Sequence, residues 1–294
     1  MIDLPLRRRF YADEIAAVAN LQTPALIDAL ADLPRERFLP SGPWHVMGEG
    51  TVLGHARLTP DDDVRHVYHN YAIAIDPSRQ LFNGSPALVG GMIDVLHLTR
   101  GARVLHVGTG LGYYTSLIGH VIGPSGHLDA IEVDVALAAD ARHNLESMPW
   151  IEVSSRSAAD VDGPFDAILV NTGVTHPQTS WLDALAPGGR MIVPLTAAHP
   201  AMGPISKGVM ILITKGIDEA FDARVLTFVA IYSAVGLRDD ALNEQLGKAL
   251  MRMPFPRLTR LRRDPHDQAS DCWLHGADFC LSISSVARTD VSDA

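Results

Sequence analysis

The clearest chemical pattern in the chain is Val104-Leu105-His106-Val107-Gly108-Thr109-Gly110-Leu111-Gly112-Tyr113. An apolar run feeds a glycine-rich turn, and helical spacing resumes directly after it. Glycine lets the main chain turn that tightly and lets a ligand approach the backbone. Amides at the start of the next helix then receive a polar ligand group. The following apolar run ends at Glu132, 20 residues beyond Gly112. A carboxylate at that place accepts hydrogen bonds from both ribose hydroxyls of an adenosine. The pattern implies a nucleoside-containing cofactor. Nicotinamide and flavin dinucleotides prefer G-x-G-x-x-G, whose third glycine would fall on Tyr113. The G-x-G-x-G present here suits the amino-acid and ribose portions of S-adenosylmethionine.

Other reactive side chains are less ordered by spacing. Ser85 precedes Pro86 and suits the capping position of a helix with proline in its first turn. No G-x-S-x-G elbow surrounds it, so a positioning role fits better than that of a covalent nucleophile. His66 and His69, beside Tyr68 and Tyr71, are potential bases toward a phenol or amine, or else loop histidines. His106 lies inside a strand and reads as a core residue. Asn171 and Thr172 follow a strand at the carboxyl edge of the expected sheet, where ligands bind. His266, Cys272, His275 and Cys280 are metal-ligating types, but they match no common zinc spacing, and Cys280 falls in an apolar run. No metal is assigned from the sequence. The basic run from Arg257 to Arg263 is followed at once by Asp264 and Asp267, the pattern of a solvated loop or of internal ion pairs.

These residues need a frame. From Arg103 onward, short β-branched runs alternate with helical stretches. Strands are predicted at 104–107, 128–133, 151–155, 165–170 and 191–195, with helices at 112–121, 135–148 and 180–185. This alternation predicts an α/β fold: a Rossmann-like, doubly wound, mostly parallel sheet. Val209–Thr214 and Val225–Tyr232 suit an antiparallel pair at its edge, Asp239–Met251 a helix, and Phe279–Val286 a strand before a fraying end. Upstream, residues 11–33 predict two helices, with Pro24 opening the second. Residues 41–80 predict loops and short strands. The resulting division is 1–100, an N-terminal segment carrying the serine loop; 101–235, the cofactor-binding domain; and 236–294, a C-terminal helix and tail.

Composition narrows the partners. In 294 residues, Lys and Arg number 24 and Asp and Glu 34, a formal net charge of −10. That field disfavours nucleic acid and anionic membranes. Against that field an anionic ligand group would need local cations, such as Arg65 or Arg79. Two cysteines are too few for a disulfide framework. The N-terminus lacks the apolar run of a signal peptide. The long uncharged stretch from Val104 to Leu128 is broken by glycines and histidines, against a membrane span. A cytoplasmic location is expected.

Beyond these residue-level readings, HVGTGLGYYTSLIGHVIGPSGHLDAIEVD resembles the cofactor motif of the protein-L-isoaspartate O-methyltransferase family. LPRERFLP (33–40) resembles its early Pro-Arg element, and Asn83-Gly84-Ser85-Pro86 its serine loop leading into a helix. GPFDAILV (163–170) and LAPGGRMIVPL (185–195) resemble the motifs of its fourth and fifth strands. The resemblance spans about residues 30–235. It implies an S-adenosylmethionine-dependent O-methyltransferase acting on a carboxylate of a protein or peptide. It matches Ser85 to the family's active-site serine. It places the cofactor against Phe82, Asn83, Gly84, Gly108, Thr109, Gly110, Gly112, Glu132, Val133, Ser157 and Ala158; Tyr113, next to the glycine loop, and Asn171, at the carboxyl edge of the sheet, complete the expected cofactor-binding set. Position 157 departs from the family's usual acidic residue, and residues 41–82 depart from its lead-in. The same fold acting on a small-molecule acceptor is therefore the alternative. Gly123-Pro124-Ser125-Gly126 also resembles a stretch of tRNA adenine methyltransferases, a reading the net charge opposes. A non-catalytic nucleotide-fold binder is the remaining rival.

Overall fold

The computed structural model describes residues 3–48, 56–199, 201, 203–252 and 257–283. They form two compact units: the first runs to Ala158 and includes Phe165–Leu169, and the second comprises Ala159–Pro164 and the chain from Val170 onward. The division therefore falls within the 101–235 segment. The late strands of that segment pair with the C-terminal tail.

In the first unit, α1 (Leu4–Ala19) and α2 (Pro24–Asp32) realise the two predicted helices. Pro24 starts α2, where its missing N–H costs nothing. The carboxylate of Asp94 accepts the Gln22 and Thr23 N–H groups at 2.9–3.1 Å, capping α2 from a distance. A 3-10 turn over Arg35–Phe38 leads to β1 (His45–Gly48), β2 (Arg57–Leu58), β3 (Tyr71–Asp76) and β4 (Leu81–Phe82). These form a small antiparallel sheet in the order β2-β1-β3-β4.

Then follow α3 (Pro86–Asp94), β5 (Arg103–Val107), α4 (Tyr113–Ile122), β6 (His127–Ile131), α5 (Val135–Asn144), β7 (Ile151–Ser154) and β8 (Phe165–Val170). Strand order is β8-β5-β6-β7, with β5/β6 and β6/β7 parallel. This order places a topological switch beside the carboxyl end of β5, where α/β sheets bind ligands. The strands are apolar because both faces are covered: Val104, Leu105, Leu128 and Ala130 are fully buried. Helix α5 stops short of the predicted Met148. Pro149 disfavours helical backbone at the residue before it.

In the second unit, α6 (Thr179–Ala184), β9 (Leu185–Ala198), β10 (Ile205–Lys215), β11 (Phe221–Tyr232), α7 (Asp240–Leu250), β12 (Arg260–Arg262), β13 (Cys272–His275) and β14 (Cys280–Ser282) succeed one another. The order β9-β10-β11-β12-β14-β13 is antiparallel throughout. The predicted pair lies within β10 and β11, and the antiparallel region extends to six strands. Of the added strands, β14 falls inside the strand predicted at 279–286, while β12 and β13 are three and four residues long, too short to show alternation in sequence. The end of the predicted 279–286 strand and the polar terminus lie outside the described residues. Asp239 caps α7 by accepting the Leu242 N–H at 2.7 Å. Among the described residues, no helix is long and apolar enough to cross a membrane.

Candidate active site

The glycine loop joins β5 to α4. Gly108, Gly110 and Gly112 all have positive φ (85°, 57° and 94°), a region that side chains other than glycine's enter only with strain. A Cβ on Gly112 would also sit 3.0 Å from Leu145 Cδ1. The loop is tied down on both sides. The Gly108 N–H donates to the Ile131 carbonyl at 2.9 Å, and Asn144 Nδ2 donates to the Leu111 carbonyl at 2.9 Å.

Glu132 follows β6 and is buried. One carboxylate oxygen accepts the Gly110 N–H at 2.9 Å and the other the Asp134 N–H at 3.1 Å. Each oxygen can accept a further bond, so the carboxylate is held in place with acceptor capacity left for a diol. The adjacent Val133 is exposed.

The serine loop abuts this site through Tyr114 on α4, whose hydroxyl donates to the Gly84 carbonyl at 2.9 Å. Asn83 is locked to β3: its Oδ1 accepts the Ile73 N–H and its own N–H donates to the Ile73 carbonyl, both at 3.0 Å. Its Nδ2 is buried without a partner. Phe82 ends β4. Ser85 occupies the N-cap position of α3, but its side chain does not cap the helix. The hydroxyl donates to Asn70 Oδ1 at 2.8 Å, and the same oxygen accepts the Ala87 N–H at 2.9 Å. Asn70 thus does the capping and leaves the Ser85 hydroxyl oriented, with its lone pairs free to accept.

Asn70 was not singled out from the sequence. It is positioned by Arg35 of the Pro-Arg element. The fully buried Arg35 guanidinium donates to the carbonyls of Val67, His69 and Tyr71 at 2.8, 3.0 and 2.6 Å, clamping the turn that carries Asn70. Burial alone would lower the Arg35 pKa, but the surrounding phenols of Tyr11, Tyr114, Tyr113 and Tyr68 more than offset it.

Tyr113, expected against the cofactor, points its side chain into this cluster. Its hydroxyl lies 3.1 Å from that of Tyr11, and Arg35 stacks over its ring at 5.5 Å. Only its backbone remains for the loop, because the first turn of α4 packs on the Pro-Arg element. Thr109 is likewise turned to protein, its hydroxyl 3.3 Å from the Ile131 carbonyl. Ser157 is exposed and Ala158 buried in the loop after β7. Asn171 belongs to the second unit, half-buried directly after β8. Beside it the Thr172 hydroxyl donates to the Tyr232 carbonyl at 3.0 Å.

Neither loop histidine stands free as a base. His69 Nε2 meets an Arg7 guanidinium nitrogen at 2.6 Å, and burial, with Arg7, lowers its pKa. His66 Nε2 pairs with Asp61 at 2.8 Å. Arg79 bridges to Asp134 and Arg65 to Asp63, each at 2.7 Å, so both expected cations are already engaged. His106 is buried; its Nδ1 lies 3.0 Å from the Thr115 hydroxyl, and its Nε2 has no partner. In the second unit, Arg262 pairs with Asp264 and Arg263 with Asp183, which accounts for part of the basic run.

The family model described as protein-L-isoaspartate(D-aspartate) O-methyltransferase matches residues 58–213. A protein-L-isoaspartate O-methyltransferase of Methanothrix thermoacetophila is 27% identical over 231 residues, covering 76% of this chain and 96% of that relative. One from Anaeromyxobacter is 29% identical over 228 residues, covering 75% and 93%. A solved structure of a protein-L-isoaspartate O-methyltransferase superposes with a TM-score of 0.60 at 20% identity, covering 85% of this chain and 73% of the other. A putative one from Plasmodium falciparum, in complex with S-adenosyl-L-homocysteine, gives 0.56 at 14% identity, covering 77% and 97%. The structural likenesses concern the fold. The matched segment runs from β2 into β10 and contains the serine loop, the glycine loop and Glu132, so the chain belongs to the protein-L-isoaspartate(D-aspartate) O-methyltransferase family.

Proposed function

We propose that the chain transfers the methyl group of S-adenosylmethionine to a carboxylate of a protein or peptide, with an isoaspartyl residue as the leading acceptor. One observation carries the reading. A glycine loop with three left-handed positions lies against the fixed carboxylate of Glu132, in the same unit as an oriented serine hydroxyl. A cofactor with a ribose and an amino-acid tail fits this donor and acceptor set: Glu132 would hold the ribose diol, and the glycine loop would admit the amino-acid portion. Family membership favours a protein or peptide carboxylate over a small-molecule acceptor.

When bound, the cofactor supplies an electrophilic methyl group on a sulfonium and would give that methyl carbon to the carboxylate oxygen, with sulfide as the leaving group. A substrate carboxylate is ionised at neutral pH, so the reaction needs in-line placement rather than a strong base, and no proton would have to move. Ser85 would position the acceptor or the cofactor by hydrogen bonding, its direction set by Asn70. Both loop histidines are engaged with other side chains, consistent with a reaction that has no proton to remove.

The test is transfer of labelled methyl from S-adenosylmethionine to an isoaspartyl peptide and to its aspartyl counterpart. Base-labile label on the first and not on the second is expected. No transfer to either, with cofactor binding intact, would overturn the acceptor.

A further inference from the structure

The four metal-ligating side chains left unassigned by spacing are brought together at the end of the second unit. The ligand atoms of His266, Cys272, His275 and Cys280 all lie within 4.8 Å of one another. Cys272 and His275 are three residues apart on β13, a separation that in a regular strand points side chains to opposite faces. Strand β13 is not regular. Its pairing with β14 runs Cys272 to Ser282, Leu274 to Leu281 and His275 to Cys280, so Trp273 is an extra residue. That bulge turns Cys272 and His275 to the same face. Cys280 stands directly across from His275, and Ser282, two residues on, stands across from Cys272. Three ligands therefore share one face of a hairpin. His266 comes from the preceding loop, its Nε2 3.8 Å from the Cys272 sulfur.

We infer that His266, Cys272, His275 and Cys280 form a zinc site of Cys2His2 type. A tetrahedral zinc with thiolate and imidazole ligands has edges of roughly 3.4–3.8 Å. The His266–Cys272 separation is already at that length, and the widest pair needs about 1 Å of side-chain adjustment to reach it. The surroundings are those of a ligand set. His266 Nδ1 lies 2.7 Å from the Asp264 carbonyl oxygen, so it is the protonated nitrogen, and Nε2 keeps its lone pair toward the sulfur. The Ala269 N–H donates to the Cys272 sulfur at 3.3 Å, a bond that favours a thiolate. His275 Nδ1 is buried with no partner. Both cysteines are free thiols and buried. An adjoining cleft of about 480 Å³, lined by His266 and His275, gives an ion a way in. Two sulfurs with two imidazole nitrogens in a tetrahedral arrangement select zinc over magnesium or calcium, which require oxygen ligands.

The site lies beyond residues 58–213 and contains none of the methyl-transfer residues. A bound ion would join the β12–β13 loop to the β13–β14 hairpin. This role is independent of the proposed reaction and survives its failure.

The experiment is elemental analysis of the full chain purified under reducing conditions, followed by replacement of the metal with cobalt(II). About one zinc per chain is expected, with cobalt giving the strong visible bands of a tetrahedral site and a thiolate-to-cobalt charge-transfer band. Cys272→Ser and Cys280→Ser should lose the metal. His266→Ala removes a loop ligand without touching the hairpin. It should keep the circular dichroism of the parent while cobalt affinity falls at least tenfold. Failure of the metal-free chain to take up zinc or cobalt would overturn the site. So would an unchanged cobalt affinity in a folded His266→Ala chain.

Discussion

Ser85 and Asn70, fifteen residues apart, meet through a 2.8 Å hydrogen bond from the serine hydroxyl to Asn70 Oδ1. That oxygen also receives the Ala87 N–H. The two substitutions therefore differ in kind. Ser85→Ala removes one donor and should cost about 1 kcal/mol of stability or less, while turnover falls roughly 10- to 100-fold through lost positioning. Full turnover in Ser85→Ala would remove the serine from the mechanism.

Asn70→Ala strands two donors, the Ser85 hydroxyl and the Ala87 N–H. It should cost about 1–3 kcal/mol in urea unfolding and lower turnover as well. Because the serine is still present, turnover equal to the parent's would show that Asn70 does not orient it.

Arg35 is the anchor behind both. Replacing it with Met leaves three carbonyls without their donor, at about 1–3 kcal/mol each where water cannot reach them. A total loss of about 3 kcal/mol or more is expected. Arg35→Lys should recover little, because an ammonium cannot span three carbonyls with a planar fork. Denaturant midpoints of the two variants provide the check, and a stable Lys variant would contradict the clamp.

What the sequence made legible was local. The glycine loop, its flanking strand and helix, and Glu132 lie within one β-α-β stretch, where spacing maps directly onto geometry. Asn70 was invisible because its partners come from a different element, and nothing in the residues around it marks the turn. The Ser85 cap was half right: the backbone sits where a cap should, but a long-range acceptor takes the hydroxyl. Tyr113 follows the loop in sequence, yet packing against Arg35 and Tyr11 decides its direction. The Cys and His cluster hid behind a bulge, since a single extra residue reverses the face that a strand periodicity assigns.

Gly110→Val tests the cofactor loop. Its φ of 57° is a severe strain for a β-branched residue, about 1–2 kcal/mol or more, and the new Cβ would sit 3.6 Å from Ile75 Cδ1. Calorimetry with S-adenosylhomocysteine should show no binding, with far-UV circular dichroism retained. Glu132→Gln should keep the fold but weaken binding by roughly 10- to 100-fold, the worth of charge-assisted hydrogen bonds to the ribose. Unchanged affinity in either would move the nucleoside elsewhere.

His106 gives the structure a pH signature. Burial lowers its pKa from 6.5 to about 3, so the native imidazole stays neutral where the unfolded one takes up a proton. The unfolded state then binds more protons as pH falls below 6.5, and stability must decline between that point and about pH 3. Above pH 6.5 neither state is protonated and the residue contributes no slope. The expected slope is at most about 1.4 kcal/mol per pH unit. Carboxylates titrate in the lower part of this window too, so the measurement is a difference. Urea midpoints of the parent and of His106→Asn, compared from neutral pH down to the onset of carboxylate titration, should converge as pH falls. The variant lacks the unfolded-state proton uptake that penalises the parent, so any deficit it shows at neutral pH shrinks in acid. Parallel curves would mean that the native imidazole protonates in place, with its Nε2 reached by water.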